Sequence, residues 1–292
     1  MIQISILIPT YNFKTGLIRI LDGFTKCASS DLNKLEIIIG DDSEKRIISQ
    51  LEILQYKKYI KNLKYIYNKG KKGGVNNWNN LINLASGKYY WLLHHDEFLY
   101  NPSFALKNII NNLQMRKSIY ILPIIKRKTF LLLNILKIEF EMHQLPYKKL
   151  LNYFLNNSNY FLYLNVLGSP SSLLVKREIK LRYNRKLKWL VDVEFYSRLF
   201  KDINPKNVKV FNYKSIYLIS DQNYPNSISR ILKKRNKLLN KLRKNELYLV
   251  ENIENSLIKN ISILFAWYKY KFFGLKKIKY KISRINILNK KK

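Results

Sequence analysis

The chain has 292 residues, 47% hydrophobic and 25% charged, a balance that excludes wholesale disorder and allows one large core with an extension. Its formal net charge of +35 has two readings: the Lys-, Asn-, Ile- and Tyr-rich usage of an AT-rich genome, or attraction to a polyanion. Cys27 is the single cysteine, which excludes an intrachain disulfide, and no apolar run reaches the ~20 residues of a bilayer span.

Ile4-Ser5-Ile6-Leu7-Ile8 predicts a buried strand stopped by Pro9. Leu17, Ile18, Ile20, Leu21 and Phe24 recur at helical spacing and predict a first helix. Leu35 to Ile39 reads as a second strand, and Ile47, Leu51 and Leu54 mark a second helix. Leu63 to Tyr67 is a third strand closed by a loop from Asn68 to Gly74. A third helix follows over Val75 to Ala85, with Trp78, Leu81, Ile82 and Ala85 inward, and Gly87 ends it. Tyr89 to Leu93 is the fourth strand. Buried strands alternating with helices mean right-handed crossovers and a mainly parallel sheet.

Beyond Asp96 the alternation loosens. Pro102 to Leu113 predicts a helix, and Ile119 to Ile125 a strand broken by Pro123. Residues 126–165 are ambiguous, Leu173 to Val175 reads as a strand after a loop, and Lys188 to Phe200 as a helix. From Ile231 onward Lys and Arg number 18 against Glu246, Glu251 and Glu254, with aliphatic residues at helical spacing. This predicts a basic helical extension.

Ligands of such sheets bind beyond the carboxyl ends of the strands. Pro9, Thr10, Tyr11 and Asn12, then Asp41, Asp42 and Ser43, then Asn68, and finally His94, His95, Asp96 and Glu97 all stand at that edge. Strand alternation places His94 and Asp96 on one side, where they can meet a metal or a diphosphate, and His95 and Glu97 on the other. Four strand ends converging on one rim mark a site rather than packing.

These motifs resemble those of the family 2 glycosyltransferases, over roughly Ile4 to Phe200. Ile8-Pro9-Thr10-Tyr11-Asn12 is similar to that family's first-strand motif beside the nucleoside. Asp41-Asp42-Ser43 resembles the motif that meets base and ribose. Gly73-Gly74-Val75-Asn76-Asn77-Trp78 resembles the helix leading into the metal motif, where His94-His95-Asp96-Glu97 stands in place of Asp-x-Asp-Asp. The resemblance implies a GT-A fold, Rossmann-like and mainly parallel, with residues 1–225 as the catalytic domain and 226–292 as the extension. Within the domain it implies a nucleotide-sugar half at about 1–100 and an acceptor half at about 101–225. It also implies a nucleotide-sugar donor, taken as a UDP-sugar, contacted by Pro9, Thr10, Tyr11, Asn12, Asp41, Asp42, Asn68, Gly74, Asn77 and His95. Mn²⁺ or Mg²⁺ would sit on Asp96 and His94. Imidazole suits Mn²⁺ better than Mg²⁺, and a divalent cation neutralises a departing diphosphate.

Asp192 lies among Trp189, Tyr196 and aliphatic residues, a setting that raises a carboxyl and suits a general base. Glu194 is accounted for by a surface pair with Arg198 at i, i+4. The spacing from Asp192 to Arg198 also resembles the family's base helix. Gly168-Ser169-Pro170-Ser171 resembles a segment bordering donor sugar and acceptor. The implied reaction is inverting transfer to a surface-glycan or lipid-linked hydroxyl. A basic amphipathic tail over 259–292 can meet anionic lipid, giving a cytoplasmic enzyme peripheral to the inner face of the plasma membrane. A catalytically silent relative and a nucleic-acid-binding protein are the competing readings. No nucleic acid is expected, because the charge is scattered and no binding module is recognisable.

Overall fold

The computed structural model describes residues 1–70, 72–114, 116–132, 136–144, 148–162, 164–212, 216–221, 245–246 and 278–284. In the first third, strands and helices alternate as β1 (Ile4–Thr10), α1 (Lys14–Thr25), α2 (Ser29–Leu32), β2 (Leu35–Asp41), α3 (Gln50–Lys57), β3 (Leu63–Tyr67), α4 (Gly74–Leu84) and β4 (Tyr89–Leu92). There follow β5 (Glu97–Leu99), α5 (Pro102–Asn111), β6 (Ile119–Ile121), β7 (Ile124–Leu132), β8 (Leu136–Gln144) and α6 (Lys148–Asn156). The last elements are β9 (Leu173–Lys176), α7 (Val191–Lys201), β10 (Val208–Val210), β11 (Leu218–Asp221) and β12 (Ile278–Arg284).

The main sheet runs β10-β6-β9-β4-β1-β2-β3. β1, β2, β3 and β4 are mutually parallel where they pair, β6 and β10 are parallel, and β9 runs antiparallel between β4 and β6. Side-chain alternation sorts the strands into two apolar layers. Ile4, Ile6, Ile8, Ile37, Ile39 and Trp91 pack with α1 and α5. Leu7, Ile38, Tyr90 and Leu92 pack with α4, α6 and α7. The register Thr10↔Asp41↔Tyr67 ends three neighbouring strands at one level, and Leu93 continues β4 by donating its N–H to the Leu7 carbonyl. The rim expected from the sequence is therefore one continuous edge.

Three expectations are corrected. Leu51 and Leu54, the apolar residues that marked the second helix, are exposed, and Ile48 and Ile53 are the buried ones. The broken strand at Pro123 is two strands belonging to two sheets. β7 leaves the main sheet for a second one of order β12-β8-β7-β11-β5. Finally, Ile278–Arg284, placed in a helical extension, is a strand antiparallel to β8. Its apolar residues, Ile278, Tyr280 and Ile282, recur every second position, the period of a strand and not of a helix. The other residues of the tail beyond 226, except 245–246, lie outside the described residues.

Gly40 shows how tightly α4 sits on β2. A Cβ there would lie 2.2 Å from Asn77 Oδ1, and the Asn77 amide donates to the Gly40 carbonyl at 2.7 Å. Gly40→Ala is expected to cost about 1–3 kcal/mol in urea denaturation, the usual price of overpacking. Gly70→Ala, whose added Cβ meets nothing within 4 Å, is the control and should stay within about 0.5 kcal/mol of the parent. Equal midpoints for the two variants would show that the α4–β2 contact is loose.

Candidate active site

The first strand end turns sharply. Asn12 adopts φ 47°, donates its N–H to Ser43 Oγ at 2.7 Å, and so ties the β1 turn to the β2 turn. Asp41 spends its carboxylate within the second turn: it accepts from Ser43 N–H at 2.9 Å, Ile47 N–H at 3.2 Å and the Tyr65 hydroxyl. Asp42 turns the other way and accepts from Asn68 Nδ2 at 2.6 Å and Gly73 N–H at 2.9 Å. Asn77 is buried, its amide spent on the Gly40 carbonyl and its oxygen accepting from Asn68. Gly74 begins α4 directly after Gly73, whose φ of 138° suits glycine alone. Of the residues named for the donor, Pro9, Thr10, Tyr11, Asn12, Asp42, Asn68 and His95 gather along this edge. Asp41 and Asn77, both buried, stand behind them as its frame, and Gly74 is exposed at the start of α4.

The His94–Glu97 tetrad is not an extended strand. β4 ends at Leu92, and Glu97 N–H donates to the His94 carbonyl at 3.0 Å, closing a turn. The strict two-sided alternation expected there is replaced by three directions. His95 swings to β1, where its Nδ1 accepts from Tyr11 N–H at 3.3 Å and lies 3.2 Å from Thr10 Oγ1, while Phe13 packs edge-on at 5.2 Å. An accepting Nδ1 places the proton of the neutral ring on Nε2. Burial, and then His94 beside it, lowers the His95 pKa to about 3. His94 goes towards α4: its ring lies 4.9 Å from Trp78, and its backbone N–H donates to Ser171 Oγ at 2.9 Å. Its Nε2 is enclosed without a hydrogen-bond partner, and burial lowers its pKa to about 4. His94 is thus neutral near pH 7, with an unpartnered ring nitrogen. Asp96 is half-buried at the tip of the turn.

Glu97 takes the third direction, into the protein. It is buried, and Ser169 Oγ lies 2.7 and 2.6 Å from its two oxygens. Burial raises its pKa against the opposing pull of Ser169, Ser171, Ser220 and the Lys126 charge. The Gly168–Ser171 loop is in this way bolted to the tetrad at Glu97 and at His94, and Trp91 Nε1 donates to the Ser171 carbonyl at 2.7 Å.

α7 closes the far side. Tyr183 stacks on Phe195 at 4.0 Å, stands edge-on to Trp78 at 5.1 Å, and so connects α7 with the His94 platform. Asp192 sits in the first turn of α7. Its carboxyl is pushed from the usual 3.8 to about 7, first by burial and second by the negative charge of Glu97. Glu194 does pair with Arg198, at 2.5 and 2.7 Å, but it is buried and held bidentately, so this is no surface pair as expected. Glu97 was not singled out as the partner of Asp192. Nothing short of the fold brings positions 97 and 192 together, although a carboxylate following Asp96 was a visible signal.

A cavity of about 670 Å³ lies elsewhere, between α1 and the Phe98–Pro102 segment, and none of the rim residues named above lines it. Its walls carry no acidic group except Asp22.

The family model for glycosyl transferase family 2 matches residues 5–178, the span that builds the rim and the tetrad. The chain belongs to this family. Among curated proteins no sequence matches it. Solved structures share the fold. S. aureus TarS, residues 1–349, is 15% identical with a TM-score of 0.54 over 94% of this chain and 75% of that one. The same protein in complex with UDP-GlcNAc is 14% identical, with a TM-score of 0.52 over 76% of this chain and 59% of that one. The mannosyltransferase PcManGT from Pyrobaculum calidifontis, in complex with GDP-Man and Mn²⁺, is 10% identical, with a TM-score of 0.53 over 93% and 70%. This chain spans 37% of a longer TarS structure. The GT-A architecture expected from the sequence is thus present, with the second sheet as an addition. Among the described residues no helix is long and apolar enough to cross a membrane.

A carboxyl raised in this way makes the folded chain bind a proton that the unfolded chain has lost. Its contribution is fully present below pH 3.8 and is lost as pH rises through about 7. Asp192→Asn removes the ionisation, so at pH 8 the variant should melt above the parent, with the gap closing towards pH 4. Parallel melting curves across that range would mean that Asp192 is not buried as a charge.

Proposed function

We infer that the chain is an inverting glycosyltransferase that moves a sugar from a nucleotide-sugar donor to an acceptor hydroxyl. The observation that carries this reading is Asp192 in the first turn of α7, its carboxyl raised to about 7 by burial and then by the charge of Glu97. A base serves best when its pKa lies near the working pH. Asp192 takes the proton of the acceptor hydroxyl as that oxygen bonds to the anomeric carbon. The bond from that carbon to the diphosphate breaks on the opposite face, and the electron pair leaves with the nucleotide diphosphate. Thr10, Tyr11, Asn12, Asp42, Asn68 and His95 line the donor edge, with Pro9, Asp41, Gly74 and Asn77 shaping it. A UDP-sugar is the proposed donor, since TarS is described with UDP-GlcNAc. PcManGT, described with GDP-Man, keeps a GDP-sugar as the alternative to test.

The residues at 94 and 96 suit a divalent cation. His94 is neutral with an unpartnered, enclosed Nε2, and Asp96, two residues on in the same turn, carries a carboxylate. Among the described residues no group of three or more His, Cys, Asp or Glu could hold a metal alone, so the diphosphate would complete the coordination. Such a cation supplies charge neutralisation to the leaving diphosphate. Imidazole ligation favours Mn²⁺ over Mg²⁺. The proposed acceptor is a surface glycan or its lipid carrier. The basic residues after 226 support contact with an anionic membrane face, and with it a place on the inner leaflet.

Two substitutions test the assignment. Asp192→Asn keeps the shape and removes the acceptor of the proton. Transfer should fall by at least the roughly 10²–10⁴ of a lost general base, while UDP-GlcNAc or GDP-Man still raises the melting temperature. Transfer within a few-fold of the parent would eliminate Asp192. Asp96→Ala should erase the part of the donor-induced melting shift that depends on Mn²⁺. A shift that keeps its full Mn²⁺ dependence would remove Asp96 from the metal.

A further inference from the structure

α7 carries the proposed base, yet its own sequence does not cap it. The residue before the helix is Leu190, which has no side chain able to accept from the free N–H groups. The three N–H groups that lead into the helix converge instead on one carboxylate, 56 residues beyond Leu190. Glu246 Oε1 accepts from Lys188 N–H at 2.7 Å, and Oε2 from Leu190 N–H at 2.8 Å. Trp189 N–H reaches both oxygens, at 3.2 and 2.9 Å. Glu246 is buried to 3% exposure. Three successive N–H groups at a helix N-terminus form an anion nest, and the positive end of the helix strengthens it.

Asp192 follows Leu190 by two residues, within the turn closed by Glu194 N–H on the Leu190 carbonyl at 2.9 Å. The direction of its side chain is therefore set by the backbone that Glu246 holds. Glu246 also belongs to the basic extension, where acidic residues are few. An acidic residue spent on a buried nest there is placed for geometry and not for the charge of the tail. We propose that Glu246 is a positioning residue for catalysis: it fixes the entry to α7 and with it the place of Asp192 within reach of the Glu97 charge. This rests on Asp192 being the base. Glu246 touches no reacting group. It makes the C-terminal extension part of the catalytic machinery.

The test is a double-mutant cycle on the full chain, with Glu246→Gln as the mild variant and Glu246→Ala as the severe one. The first readout needs no substrate. At pH 8 Asp192→Asn should raise the melting temperature in the parent, and this gain should shrink by at least half on the Glu246→Gln background, because Asp192 is no longer held in its buried setting. The second readout is nucleotide release from UDP-GlcNAc and GDP-Man. Glu246→Gln should lower kcat about 10-fold or more with donor KM within 2-fold, and should cost nothing further once Asp192 is Asn. Equal melting gains in both backgrounds overturn the proposal even if Glu246→Ala fails to fold. So does a folded Glu246→Gln enzyme with parental kcat. If instead Asp192→Asn keeps full turnover while the melting coupling is found, the base assignment fails and the structural link stands.

Discussion

Negative charge buried at the carboxyl ends of the strands is the constraint on which this site is built. Each carboxylate there is compensated differently. Asp41 has two backbone N–H groups and a tyrosine hydroxyl, Asp42 has Asn68 and Gly73, and Glu194 has a bidentate arginine. Glu97 has serine hydroxyls and a lysine charge. Asp192 has neither donor nor cation to set against burial, and it faces Glu97 besides. A carboxylate left uncompensated among well-compensated neighbours is a local cost in stability, of the kind that collects at functional sites. The loops of the first two strands hold the donor edge rigid because their charges are satisfied. The proposed base is the one whose charge is not.

The sequence made the rim legible because each part of it is local. A buried run followed by polar residues identifies a strand and its end without knowledge of its partners, which is why β1 to β4 and the four strand-end clusters could be placed. Where the signal was local but faint, reading failed by small margins: Leu51 and Leu54 are exposed because α3 is short and turns Ile53 inward instead. The second sheet was not legible. Its members come from 97–99, 124–144, 218–221 and 278–284, and no period within any one of them says which others it joins. The same holds for the site. His95 looked like a partner of Glu97 on strand geometry, and only the turn at 94–97 sends one to Thr10 and the other to Ser169. Glu246 had no signal at all beyond being one of few acids in a basic tail.

That tail takes on a different character once its described residues are placed. Glu246 reaches the entry of α7, and β12 extends the second sheet through β8, whose other neighbour, β7, lies beside β11. β5, which begins at Glu97, is the far strand of that sheet. Two separate pieces of the extension are therefore anchored on elements that carry, or lead to, Glu97 and Asp192.

Histidine at position 94, where the family resemblance leads one to expect an acid, follows from the same electrostatics. Burial already raises both Glu97 and Asp192, and the charge of Glu97 raises Asp192 further. A third carboxylate at 94, whose neighbours are Trp78 and the Ser171 loop, would enter an apolar pocket with a single backbone N–H donation already committed. Its ionisation would drive Asp192 higher still, past the range in which a base is free at neutral pH. A neutral imidazole supplies a lone pair for a cation without adding charge, and its own low pKa keeps it neutral down to about pH 4. The exchange has a consequence for the proposed cation. A site with one carboxylate and one imidazole holds a hard cation less firmly than one with two carboxylates, and relies more on the diphosphate to complete it. Cation and donor would then bind together, each raising the affinity for the other, as linkage requires.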